Sequence, residues 1–136
     1  MRVLAIDYGM SRTGIATSDG LGLIASPYKV LPSRNYEKLL TAVGETVAEV
    51  APDRVILGYP GRTDGAKSEM CLRVERFRDE LKSRFGFEAE LVDEKYTTVI
   101  ASQMLHAGGV KAKDQRKNID AAAAAVLLQG YLDSHK

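Results

Sequence analysis

A chain of 136 residues with 45% hydrophobic and 27% charged side chains has the make-up of one globular domain, residues 1–136, neither disordered nor fibrous. Its single cysteine, Cys71, excludes an intrachain disulfide and a cysteine-based zinc site, and suits a reducing cytosol. No apolar run approaches the ~20 residues of a membrane span, and Met1-Arg2-Val3 leads into a strand pattern rather than a signal peptide. A soluble, cytoplasmic protein without a membrane partner is expected, and its formal charge of +1 neither implies nor excludes nucleic acid.

In chain order, Arg2 to Ile6 is a short apolar run ending at Asp7, the pattern of a buried central strand. Thr13 to Ser18 and Gly22 to Leu31 are further strand-like stretches, separated by the turn signal Asp19-Gly20, so the first three strands form an antiparallel meander. Leu39, Leu40, Val43, Val47 and Val50 recur at helical spacing between Asn35 and Val50, and Pro52 stops that helix. Arg54 to Gly58 is a second buried strand. A helix from about Ala66 to Phe85 carries Met70, Val74, Phe77 and Leu81 on one stripe and closes at Gly86. Glu88 to Val92 alternates as a strand, a short helix is expected from about Thr98 to His106, and the last runs from about Asn118 to Leu132. Strands at 54–58 and 88–92, each reached through a helix, should pair in parallel with the first in one α/β layer. The Ala121–Ala125 run implies a helix backbone lying close against that sheet.

Charge is distributed unevenly. Lys111, Lys113, Arg116 and Lys117 face only Asp114 between Gly108 and Asn118, and this Gly-led basic segment reads equally as an anion-binding loop or a solvated one. Arg62 to Arg84 holds seven basic and five acidic residues, which reads as a solvated face.

The acids carry the most information. Asp7 ends the first strand, Asp93 and Glu94 end the strand at 88–92, and Asp120 falls in the first turn of the expected last helix. Sites in α/β sheets assemble at the carboxyl ends of strands. Carboxylates gathered there repel one another unless a hard cation with oxygen ligands, Mg²⁺ or Mn²⁺, relieves them. Two such ions about 4 Å apart serve phosphodiester cleavage. Asp7, Glu94 and Asp120 are therefore the expected metal ligands and catalytic residues, with Glu94 taken ahead of Asp93. A plain structural role stands beside this for two of them: Asp120 as a charge favourable to the helix dipole, Asp93 as a cap. Gly9 and Gly14 let the backbone turn close to Asp7, and Arg12 between them reaches toward a phosphate. Thr97 and Thr98 either bind phosphate at a helix start or only cap it. Tyr8, Tyr59 and Tyr96 are within reach of bases but suit packing better. His106, His135 and Cys71 read as structural.

Taken together, Asp7-x-Gly9-x-x-Arg12-x-Gly14-x-Ala16, Gly58-x-Pro60 with Asp64-Gly65, Asp93-Glu94-Lys95-x-Thr97-Thr98, and Asp120-x-x-Ala123-Ala124-x-x-Leu127-Leu128-Gln129-x-Tyr131-Leu132 resemble the YqgF family, also called RuvX, over essentially the whole chain. These are pre-16S rRNA nucleases formerly described as Holliday-junction resolvases. The resemblance implies an RNase H-like fold with a mixed five-stranded sheet flanked by helices. It further implies metal-dependent nuclease chemistry on Asp7, Glu94 and Asp120, maturation of the 5′ end of 16S rRNA, and contact with the ribosome or its precursors. Arg12, Lys95, Thr97, Lys111, Lys113, Arg116 and Lys117 are then the expected substrate-binding residues. Tyr59-Pro60-Gly61, Ala66 and Lys95-Tyr96 depart from the commoner family residues; lysine at 95 keeps the charge but loses the planar fork that grips phosphate in two places.

Two other readings remain open at this stage. The Asp7–Ala16 loop also suits an ATPase of the actin or sugar-kinase kind, against which stands a length sufficient for only one of the two domains such enzymes use. The second is a non-catalytic nucleic-acid-binding or ribosome-assembly factor. RNA is favoured over branched DNA, and monomer and homodimer are both compatible with the sequence.

Overall fold

The computed structural model describes residues 1–60, 69–93 and 112–135, those at 112–120 by their backbone alone. Its elements are strands β1 (Val3–Asp7), β2 (Arg12–Ser18) and β3 (Ala25–Pro32), helix α1 (Tyr36–Val50), strand β4 (Arg54–Tyr59), helix α2 (Glu69–Phe85), strand β5 (Ala89–Asp93) and helix α3 (Ala112–Ser134). The five strands form one sheet in the order β3-β2-β1-β4-β5. β1 and β2 pair antiparallel, as do β2 and β3, whereas β4 is parallel to both β1 and β5. The meander and the two parallel crossovers are those expected from the alternation of strand and helix patterns.

Alternation along β1 decides which layer each helix joins. Leu4 and Ile6 face α1 and α2, where they pack with Leu57, Leu39, Leu40, Val43, Val74, Phe77 and Leu81. Val3 and Ala5 face the opposite way and meet Ala16, Ile56, Ala124, Leu127 and Leu128. Each large side chain in these layers contributes about 1.5–3 kcal/mol by leaving water. Ala5 and Ala16 meet the alanines of α3, so small residues on both sides bring that helix backbone near the sheet, as the alanine run implied.

α1 starts at Asn35, whose Oδ1 accepts the Lys38 amide hydrogen at 3.0 Å. It ends at Ala51, in the left-handed region at φ 49°, with the Ala51 N–H donating to Val47 O before Pro52 bars continuation. α2 and α1 approach closely at Gly44, where a Cβ would stand 2.4 Å from the Phe85 ring.

The end of the chain departs from expectation. α3 begins at Ala112, not near Asn118, so Asp120 lies in the body of the helix rather than its first turn, and the dipole role for it falls away. For the same reason Lys113, Arg116 and Lys117 stand on a helix, not in a Gly-led loop; Lys111 lies outside the described residues. The cause is propensity: Ala-Lys-Asp-Gln-Arg-Lys is rich in helix formers but lacks the apolar stripe by which helices announce themselves. The helix expected over 98–106 lies outside the described residues, as do residues 66–68 at the expected start of α2.

Candidate functional site

β1, β3, β4 and β5 all end on the rim of the sheet from which β2 starts. Asp7 is the last residue of β1, half-buried, with Gly14 of β2 directly across from it. On its other side Gly58 follows Leu57, the partner of Ile6. Its two strand neighbours are therefore residues without side chains, which leaves space around the carboxylate from both directions. By the alternation of β1, Asp7 shares the face of Val3 and Ala5, the face covered by α3.

The turn that follows is tightly determined. A Cβ on Gly9 would lie 2.3 Å from the Arg12 carbonyl oxygen, so this turn admits no side chain at that position. Arg12, half-buried at the start of β2, stands diagonal to Asp7 on the same face, since Asp7 pairs with Gly14 two residues along. The Ser33 N–H donates to Ser11 O at 2.9 Å, and the buried hydroxyls of Thr13 and Ser33 are 2.7 Å apart. These bonds latch the β3–α1 corner onto the β1–β2 turn.

Tyr8 is turned away from the rim: 9% exposed, it stacks on Phe77 with ring centroids 4.8 Å apart and planes at 29°. Tyr59 donates its hydroxyl hydrogen to the Glu75 carboxylate, and this bond, with burial behind it, pushes its pKa up to about 12. Both rings are committed to the protein, the packing role the sequence favoured; Tyr96 lies outside the described residues. Cys71 is fully buried, its thiol donating to Pro60 O at 3.3 Å. His135 stacks on Tyr131 at 4.0 Å. Both are structural, and His106 lies outside the described residues.

Asp93 ends β5 one residue beyond Val92, which is level with Gly58. Ala89 and Leu91 pack toward α1 and α2, so alternation sets Asp93 on that face, opposite to the face of Asp7. Glu94, Lys95, Thr97 and Lys111 lie outside the described residues, and of Asp120 the backbone alone is described. The direction of α3 is nevertheless clear. Gln129 Nε2 donates to Leu23 O at 3.0 Å, its Oε1 accepts from Ala25 N at 2.9 Å, and the Arg54 guanidinium donates to the Tyr131 hydroxyl. These partners sit at the end of the sheet where β1 begins. The helix thus rises toward the rim on going back from Leu128 to Ala124 and to residue 120, one turn earlier on the same side. Residue 120 therefore lies on the rim side of Ala124, away from the end of the sheet where β1 begins. Among the described residues no three acids, histidines or cysteines meet as a metal-binding group.

The basic stretch along α2 is neutralised, as a solvated face should be. Arg73 pairs with Glu69 at 2.8 Å, Arg78 with Asp79 at 3.1 Å, Lys82 with Glu88 at 2.6 Å, and Arg84 with both Glu37 and Glu80. Arg34, which the sequence reading did not single out, is different: exposed at the β3–α1 corner, it has no ion pair among the described residues. Its place just before a helix cap, outside any apolar periodicity, gave no signal. A cavity of about 600 Å³ lined by Val47, Asp53, Arg54, Phe87 and Glu90 opens at the opposite end of the sheet, away from the acids. No helix among the described residues is long and apolar enough to cross a membrane.

Comparison with known proteins agrees with this fold. A family model described as "RuvX: Holliday junction resolvase" matches residues 1–134. A Burkholderia multivorans protein named "Putative pre-16S rRNA nuclease" is 38% identical over 131 residues, covering 96% of this chain and 88% of the relative. A Streptomyces coelicolor protein of the same name is 40% identical over 136 residues, covering 99% and 81%. Among solved structures, Thermus thermophilus RuvC in complex with a Holliday junction substrate superimposes with a TM-score of 0.60 at 16% identity, over 99% of this chain and 95% of that one. The fowlpox virus Holliday junction resolvase gives 0.59 at 13% identity, with both chains fully covered. The fold is that of the RuvC-like resolvases, the RNase H-like architecture.

Proposed function

Because the chain belongs to the RuvX family, we propose that it is a metal-dependent nuclease whose cutting centre is built on Asp7, Glu94 and Asp120. The observation that carries this is the position of Asp7: a half-buried carboxylate at the carboxyl end of the central strand, flanked by glycine on β2 and β4, on the face toward which α3 brings residue 120. Glu94 is preferred to Asp93 because Asp93 alternates onto the other face of β5.

The donor set fits a hard divalent cation. Asp7, Glu94 and Asp120 offer only carboxylate oxygens, no imidazole or thiolate, which suits Mg²⁺ or Mn²⁺ over zinc. When bound, such an ion supplies charge neutralisation at the scissile phosphate and an acidified water. The chain's own part is positional. Gly14 and Gly58 leave room for a phosphodiester to approach the Asp7 carboxylate. Arg12, diagonal to Asp7, holds a phosphate oxygen on that same face, with Lys95 and Thr97 assigned to the neighbouring phosphate. Lys113, Arg116 and Lys117 on α3, with Lys111 before it, carry the helix-borne part of the contact.

The names of the curated relatives point to pre-16S rRNA as the substrate; cutting at its 5′ end during ribosome assembly in the cytoplasm, with the pre-ribosome as partner, is what the family resemblance adds to this reading. A second reading, resolution of branched DNA, is favoured by the likeness to resolvases, one of them bound to a Holliday junction. A third, an assembly factor that binds without cutting, is separated from both by experiment. End-labelled pre-16S leader RNA and a four-way DNA junction are each incubated with the protein in Mg²⁺, Mn²⁺ or EDTA. Cutting of the RNA in metal alone supports the first reading, and cutting of the junction alone the second. Binding without cutting in any metal supports the third.

A further inference from the structure

Among the described residues, two cations at the corner of the sheet rim, Arg34 and Lys38, have no ion pair. Along this rim the order is the β3–α1 corner with Arg34, then Arg12 at the start of β2, then Asp7 at the end of β1. Asp7 is level with Gly14 and Gly14 with Val30, so β3 runs two strand spacings, about 10 Å, to the side of the acid. Pro32 pairs with Arg12, and Arg34 stands two residues beyond it. The corner is held in register by the Ser33–Ser11 and Thr13–Ser33 bonds, which fixes the base from which Arg34 reaches.

Stability does not account for this placement. Arg34 precedes the cap of α1 and Lys38 lies in its first turn, at the positive end of the helix, where a cation is unfavourable. The nearest acid in sequence, Glu37, is taken by both terminal nitrogens of Arg84. Arg34 and Lys38 are both exposed and neither has an ion pair among the described residues, in contrast to Arg73, Arg78, Lys82 and Arg84 on α2. A pair of cations left without a counter-charge beside an acid-tipped strand fits a polyanion passing along the rim.

We propose that Arg34, with Lys38 behind it, binds a backbone phosphate of the nucleic-acid strand on the β3 side of Asp7, so that the strand crosses the rim over β2 and β3. The identity of the polyanion rests on the nuclease reading. The contact itself does not depend on cutting.

Anisotropy of a fluorescently labelled pre-16S leader RNA, titrated with full-length protein in EDTA at several KCl concentrations, tests this without cleavage. Arg34→Ala is expected to weaken binding several-fold at low salt and to flatten the slope of log K against log salt by about one. Arg34→Lys keeps the charge and restores most of the slope. Arg2→Ala makes the same charge change at the opposite end of the sheet and leaves affinity and slope as in the wild type. Arg34→Ala indistinguishable from Arg2→Ala, or a wild-type protein that does not bind the RNA, overturns the proposal. A protein that binds with Arg34 dependence yet cuts nothing in Mg²⁺ removes the nuclease reading and leaves this one standing. One that cuts with no Arg34 dependence does the reverse.

Discussion

Replacing Gly9 with alanine puts a methyl group 2.3 Å from the Arg12 carbonyl oxygen, and the obstacle is backbone, not a side chain able to swing aside. Ordinary contact starts at 3.4 Å, so the β1–β2 turn must open by about 1 Å. Overpacking of this kind costs about 1–3 kcal/mol. In a domain of this size each kcal/mol is about 3–5 °C of melting temperature, giving an expected loss of roughly 3–15 °C by scanning calorimetry. Function should suffer more than stability. Asp7 is two residues upstream of the change and Arg12 is at the clash itself, and a displacement of about 1 Å in a reacting group lowers rates on the order of 100-fold. Gly20→Ala is the matched control: in the β2–β3 turn an added Cβ meets nothing within 4 Å. It should shift stability by less than about 1 kcal/mol in either direction and leave cleavage intact. Gly9→Ala with wild-type melting and wild-type cleavage, or Gly20→Ala equally damaging, refutes the reasoning.

Phe77→Ala empties a fully buried site on α2 and removes the ring on which Tyr8 stacks; urea unfolding should show a loss of about 3–5 kcal/mol. Acid should weaken the α1–α2 contact: hydrogen bonding from Arg84 holds the Glu37 carboxyl below its ordinary value of 4.5. That stabilisation is complete above the ordinary value and is lost as pH falls through the lowered one, so Glu37→Gln should flatten the fall of melting temperature with acidification. Tyr59, pushed up to about 12 by its bond to Glu75, should ionise late in a tyrosinate absorbance titration, and Glu75→Gln should bring that ionisation down. Because the folded value is raised, the stabilisation is present below the ordinary value of 10 and lost between there and about 12.

The legible parts of the fold were those with a strong period. β1, β4 and α1 stand within a residue or two of their patterns because each buries a continuous apolar face. Asp7 was legible for a related reason: a charge closing an apolar run can only lie at a strand's exposed end. The start of α3 was not, since residues 112–118 are helical through propensity and carry no apolar stripe. Asp93 and Glu94 could not be separated by sequence either, because adjacent strand residues point to opposite faces and only the register with β4 says which face matters. Arg34 escaped notice because its meaning lies in a counter-charge that Arg84 has taken from 47 residues away along the chain.

Single-turnover cleavage of the pre-16S leader by Asp7→Asn beside Asp93→Asn bears most directly on the cutting centre. Each substitution removes one carboxylate charge from the same rim, and the two side chains differ in face. Loss of metal-dependent cutting in Asp7→Asn with near wild-type rates in Asp93→Asn is the expected result. Cutting that survives in Asp7→Asn, or that is lost equally in both, contradicts the assignment of the catalytic face.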